Sequence, residues 1–119
     1  MDAKLYPTLR FRDADAGLQF LKDTFGFVEH AVYRGDDGKI HHAELALGDD
    51  MVMFGEGDPG DNGVYAAVDD IDAVYAAAKA AGAEITRELA DTDYGSREFS
   101  CRDLDGHAWS VGTYRPTRA

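Results

Sequence analysis

The chain repeats itself, and that repeat limits its folds more than any other feature. RDAD begins at position 12 and DDID at position 69, an offset of 57 residues. The same offset carries Lys22 onto Lys79, and one residue of slip places Gly26 on Gly82. Two copies fill a chain of 119 residues, enough to bury a core without disulfides or metals.

Each copy has the same order of elements. LYPTLRF reads as a strand, and Asp13 and Asp15 can cap a helix with Ala14, Leu18, Leu21 and Phe25 on its apolar stripe, stopped by Gly26. FVEHAVYRG and KIHHAELAL follow as strands joined at the Asp36-Asp37-Gly38 turn, and MVMF is a fourth strand beyond the turn at 48–50. In the second copy GVYAAV is a strand, and Asp69 or Asp70 caps a helix with Ile71, Val74, Tyr75, Ala78 and Ala81 on one stripe, stopped by Gly82. AEITREL, SREFSCR and HAWSVGTY complete that copy. The reading is an α+β fold of two tandem βαβββ modules in one domain, 1–119. Module 1 covers about 4–55, a polar linker 56–63, and module 2 about 64–115. Alternation gives the strands two faces: Ala43, Leu45 and Leu47 oppose His42, Glu44 and Ala46, and Phe99 and Cys101 oppose Glu98 and Ser100. Helices cover the apolar faces, so the polar faces line a concave cleft if the modules curl, or meet solvent if they do not.

Charge and cysteine content exclude several classes. Twelve Lys and Arg against 23 Asp and Glu give a net charge of −11, which repels nucleic acid and anionic lipid and weakly favours cationic ligands. Cys101 is the only cysteine, which rules out an intrachain disulfide and a cysteine-built zinc site and fits a reducing compartment. The N-terminal stretch has no apolar signal core and no run approaches a membrane span, so the expected location is cytoplasmic.

Motifs with chemical meaning are few. GEGDPG at 55–60 matches a dinucleotide fingerprint in letters, but a strand follows it and Glu56 and Asp58 would repel phosphate. RDADAG begins like a calcium loop, yet Gly17 replaces the third acidic ligand and Thr24 occupies the closing position. Ser96, Ser100 and Ser110 sit in no nucleophile elbow. Cys101 lies beside Arg102, which would favour a thiolate, but its strand parity is that of a small core residue. His42 and Glu44, two apart on a strand, point the same way and fit a hydrogen-bonded pair on a polar face, or together a ligand's amine or a metal. His30, His41 and His107 show no such partner and read as surface residues; Trp109 and Val111 take the core parity of the last strand.

With YPTLRFRDADAGLQFLKDTFGF opening the first unit and YGSREFSCRDLDGHAWSVGTY closing the second, the chain resembles the vicinal oxygen chelate superfamily over essentially its whole length. That group includes glyoxalase I, extradiol dioxygenases, fosfomycin-resistance enzymes and metal-free bleomycin-resistance proteins. The resemblance implies sheets curled about a cleft, often in a homodimer. Its metalloenzymes hold a divalent ion with His, Gln or Glu on the first and last strands of each unit. Carried over, those positions are Tyr6, Met53, Gly63 and Ser110, and a one-residue slip gives Pro7, Phe54, Val64 and Val111. None is a usual ligand. The resemblance therefore implies a protein without metal or other cofactor that binds or sequesters a small, cationic or amphipathic molecule. Its expected cleft residues are Tyr6, Thr8, Arg10, His42, Glu44, Met51 and Met53 from module 1, with Tyr65, Glu98, Ser100 and Ser110 from module 2. Two other readings stand beside it. One is an enzyme, either a metal-dependent lyase, isomerase or dioxygenase, or a metal-free acid–base catalyst with His42 oriented by Glu44. The other is a dimerising module without a small-molecule role.

Overall fold

The computed structural model describes residues 4–116. The element order is β1 (Lys4–Phe11), α1 (Ala14–Phe25), β2 (Val28–Arg34), β3 (Ile40–Leu47), β4 (Asp50–Glu56), β5 (Gly63–Ala67), α2 (Ile71–Ala80), β6 (Glu84–Asp91), β7 (Arg97–Arg102) and β8 (Ala108–Gly112). This is the expected α+β order, βαβββ twice.

The helices begin and end where local chemistry places the signals. Asp13 is extended and accepts from the Ala16 amide at 3.1 Å, so it caps α1 alone. Asp15 does not share that task, because its carboxylate forms a two-pronged ion pair with Arg34 at 2.7 and 3.0 Å. Asp70, not Asp69, caps α2 through the Ala73 amide at 3.2 Å, and Asp69 instead accepts from Arg115 at 2.6 Å. Gly26 and Gly82 both take φ near the left-handed region, +81° and +90°, which only glycine adopts cheaply. Phe25 departs from the expected stripe. It is 57 % exposed and makes edge contacts with Phe20 and Phe27. Ala81 likewise lies past the end of α2 and is exposed.

By mutual contact the described residues divide into two compact units. One spans Tyr6–Asn62 and takes in Pro116; the other spans Gly63–Arg115 and takes in residues 4–5. In the first, the strands lie in the order β2-β3-β4-β1, with β1 parallel to β4 and the other pairs antiparallel. Its core joins α1 to the sheet through Ala14, Leu21, Ile40, Ala43, Leu45, Val52 and Phe54, with the Phe11 ring edge-on to Phe54. In the second, the order is β5-β8-β7-β6, with β5 parallel to β8. Ile71, Phe99, Cys101 and Val111 form its core, and Trp109, Val74 and Tyr75 pack against it. The tryptophan is thus a core residue, as its parity predicts. Between the units' strands, Asp58 caps a single 3-10 turn, Pro59–Asp61, and no helix follows GEGDPG to receive a phosphate.

Registers expose a further regularity. Met53 lies opposite Thr8 and Glu44 in the first unit, and Ser110 lies opposite Tyr65 and Ser100 in the second. The edge strands β2 and β6 also carry matching irregularities. The ladder slips between Glu29 and Ala31 and again between Ile85 and Arg87, so His30 and Thr86 are the extra residues.

Candidate functional site

The polar faces of the sheets are far from uniformly wet. Within the first unit Tyr6, Met51, Met53 and Glu44 are all buried, while Thr8 and His42 are half-buried and Arg10 is exposed. Within the second, Tyr65 and Glu98 are buried and Ser100 and Ser110 half-buried.

Glu44 is the most constrained polar group of the first unit, with 1 % of its surface exposed. A buried carboxylate is costly unless donors surround it. His42, two residues away on β3, places Nε2 at 2.8 Å from Oε2. His30 places its Nε2 at 3.8 Å from the other oxygen, Oε1. Strand alternation hides this second contact. Glu29 pairs with Leu45 on the helix side and Ala31 with Glu44 on the opposite side, so position 30 has no regular station. The bulge turns it onto the face of Glu44. Tyr33, paired with His42 across β2 and β3, stacks on the imidazole at 6.0 Å with 25° between planes. Which of the two groups donates in the His42–Glu44 contact depends on the imidazole's tautomer.

The other two histidines read as partnerless, His41 and His107, need correction as well. His41 lies 3.4 Å from Asp37. His107 approaches Asp103 at 3.0 Å through Nδ1, and its own amide bonds the same carboxylate. Asp103 is a hub: the Trp109 indole donates to it at 3.0 Å and the Asp105 amide at 3.1 Å. Those donors, the indole first, hold its carboxyl well below the usual range. Burial and then the nearby Asp103 charge push the Cys101 thiol up, so this cysteine is an inert core residue and not a thiolate.

The second unit surrounds its own buried carboxylate differently. Glu98, 6 % exposed, accepts from Arg87 at 3.1 Å and from the Tyr94 hydroxyl at 2.9 Å. Burial and the bond to Glu98 raise the Tyr94 phenol above its ordinary value. Gly112 permits this closeness, because a Cβ there would stand 2.6 Å from Glu98 Cγ and 2.8 Å from the Tyr65 hydroxyl oxygen. Tyr65 donates to the Tyr114 carbonyl at 2.6 Å. Ser100 and Ser110 share a hydrogen bond of 3.1 Å.

The four positions that correspond to metal ligands can be tested directly. Tyr6 spends its hydroxyl on the Pro116 carbonyl at 2.7 Å, and Ser110 is bonded to Ser100. Met53 is a buried thioether and Gly63 has no side chain. Neither a thioether nor a missing side chain serves a hard cation. Among the described residues, no three of His, Cys, Asp or Glu are grouped so as to hold a metal ion. These residues do not fit a family-type divalent site.

Comparison with known proteins agrees with the fold. The chain is 30 % identical over 127 aligned positions to an uncharacterized protein of Mycobacterium bovis, covering 94 % of this chain and 84 % of that one. A Mycobacterium tuberculosis protein, also uncharacterized, matches at the same identity over 94 % of this chain and 75 % of its own. A solved structure from Vibrio splendidus, a glyoxalase/bleomycin resistance protein/dioxygenase superfamily member, superposes with a TM-score of 0.75 at 21 % identity, covering 93 % of this chain and 98 % of that one. Methylmalonyl-CoA epimerase of Streptomyces coelicolor shares the fold with a TM-score of 0.71 at 18 % identity, over 96 % and 95 % of the two chains. The family model described as Glyoxalase/Bleomycin resistance protein/Dioxygenase superfamily matches residues 5–111, and the chain belongs to that superfamily.

Proposed function

We propose that this protein is a metal-independent member of the superfamily that binds a small cationic or amphipathic organic molecule on the polar faces of its sheets. One observation carries the reading: all four positions that correspond to metal ligands hold side chains that are absent, apolar or already hydrogen-bonded. Three further features support it. Met51, Met53 and Tyr33 offer adaptable and aromatic contact, Glu44 supplies a buried carboxyl beside His42, and the net charge of −11 favours cations. The ligand-contacting residues in this reading are Thr8, Arg10, His42, Ser100 and Ser110, with Tyr6, Glu44, Met51, Met53, Tyr65 and Glu98 behind them.

Isothermal titration with bleomycin and with simpler aromatic amines, in the presence and absence of EDTA, tests this. Saturable heat that EDTA leaves unchanged is expected. Absence of heat with every cation, or binding that a chelator abolishes, removes the reading.

The 2.8 Å contact between His42 and Glu44 favours one second reading, a metal-free acid–base enzyme in which His42 moves the proton and Glu44 orients it. Under that reading His42→Gln abolishes turnover while ligand binding persists. We further propose that 1–119 is a single domain working as a cytoplasmic homodimer. Light scattering checks the assembly against a protomer mass of 13.0 kDa. No helix of the described residues is long and apolar enough to cross a membrane.

A further inference from the structure

The buried carboxyl group of the second unit is only half engaged. Arg87 and Tyr94 both donate to Glu98 Oε1, at 3.1 and 2.9 Å, and among the described residues Oε2 has no hydrogen-bond partner. We propose that Oε2, the remaining donors of Arg87 and the Ser100–Ser110 pair form a subsite for an uncharged aryl amide, whose N–H donates to Oε2 and whose carbonyl accepts from those donors. This deepens the binding function proposed above and rests on it.

A carboxyl oxygen without a protein donor persists only where water or a ligand reaches it. Among the described residues no fully buried side-chain nitrogen or oxygen lacks a hydrogen-bond partner. Oε2 lacks one, so it lies within reach of solvent although Glu98 as a whole is 6 % exposed. Gly112 stands opposite Glu98 across β7 and β8. A Cβ there would come within 2.6 Å of Glu98 Cγ and 3.1 Å of Oε2. Any other residue would press on the carboxyl group, so the glycine keeps Oε2 uncovered.

The donors share that face. Arg87 pairs with Ser100, and Ser100 with Ser110, across β6, β7 and β8, and residues directly opposite one another point to the same side. The Arg87 side chain is 50 % exposed and commits one N–H to Oε1, which leaves the rest of its planar fork for a ligand. Ser100 and Ser110 share one hydrogen bond of 3.1 Å, so whichever hydroxyl accepts keeps its own hydrogen to donate. Tyr94 supplies the apolar wall. It is 62 % exposed, anchored through its hydroxyl to Oε1 and set edge-on to Tyr114 at 6.1 Å, so an aryl group can pack beside the carboxyl.

Charge selects the class of ligand. Arg87 and Glu98 form an ion pair that is neutral as a unit. A cation at Oε2 is repelled by the guanidinium at the other oxygen, and an anion at Arg87 is repelled by the carboxylate. An amide presents a donor and an acceptor side by side and meets neither repulsion.

Benzamide, benzylamine and benzoate set a neutral, a cationic and an anionic group on one ring, and titrating each into the whole chain, followed by 15N–1H NMR, tests this. Benzamide is expected to shift the backbone amides of Glu98, Ser100, Ser110 and Gly112 and the Arg87 Nε–H saturably, and more tightly than either ion. In Glu98→Gln the new side chain keeps its oxygen towards Arg87 and Tyr94 and turns its NH2 towards the ligand's own N–H. Benzamide is then expected to bind about tenfold more weakly, the loss of one hydrogen bond. Benzamide that leaves these signals still, or moves them no more tightly than benzylamine, overturns the subsite on the wild type alone, whatever the variant's fold. Equal affinity in a folded Glu98→Gln overturns it too. The calorimetry with bleomycin and aromatic amines decides the binding function separately: saturable heat there without a benzamide shift removes this subsite alone, and neither heat nor shift removes both.

Discussion

Single residues bear unequal weight in this molecule, and Glu44 and Asp103 show the two extremes of carboxylate use. Glu44 is buried and held by histidines, so replacing it leaves donors without an acceptor. Glu44→Ala is expected to lower stability by about 1–3 kcal/mol, read by urea unfolding at neutral pH. Asp103 lies at a turn and collects the Trp109 indole, the His107 amide and the Asp105 amide. Its folded pKa is depressed below the unfolded value near 4. Stability from this group is therefore fully present above about pH 4 and is lost as pH falls further, towards the folded value. Asp103→Asn is expected to flatten the acid limb of a melting-temperature profile below that pH; an unchanged slope would show that the hub contributes nothing to acid sensitivity. Cys101 gives a simpler expectation. Burial and the neighbouring Asp103 keep it a thiol, so Ellman's reagent should react with it only as the protein unfolds.

Among the elements, caps and core stations set the stability. Asp70→Ala removes the acceptor for the Ala73 amide and is expected to cost about 1 kcal/mol in thermal unfolding. Phe99, wholly buried against the Tyr75 ring at 5.0 Å, is expected to cost about 3–5 kcal/mol when cut to alanine. Most of these elements were legible in the sequence because caps, left-handed glycines and alternating faces are local signals. Asp13, Gly26 and Leu45 announce themselves within a few residues. What stayed hidden has a physical reason in each case. His30 reads as an isolated surface histidine because a bulge breaks the period of two on which facing is judged. The burial of Glu44 and Glu98 was equally invisible, since charged residues on a polar parity look the same whether solvated or enclosed. Asp15 was miscounted as a cap because its partner, Arg34, lies 19 residues away. The candidate site was thus legible in its face and in the His42–Glu44 pair, but not in its third member.

The whole molecule is a duplicated design in which only the first copy sets histidines beside its buried carboxyl group. Both edge strands carry the same bulge, with His30 at one and Thr86 at the other. Glu44 stands opposite Met53 and Ser100 opposite Ser110, and two residues earlier on the same strands come His42 and Glu98. The backbone that turns His30 towards Glu44 thus recurs in the second half, where Thr86 and Ser100 stand in their places and an arginine–tyrosine clamp holds Glu98. That second half is a spare mould. Casting Thr86→His, Glu98→His and Ser100→Glu into it would ask whether a bulge and two strand positions suffice to transplant the contacts of two imidazoles with one buried carboxyl, with the original still in place as the control.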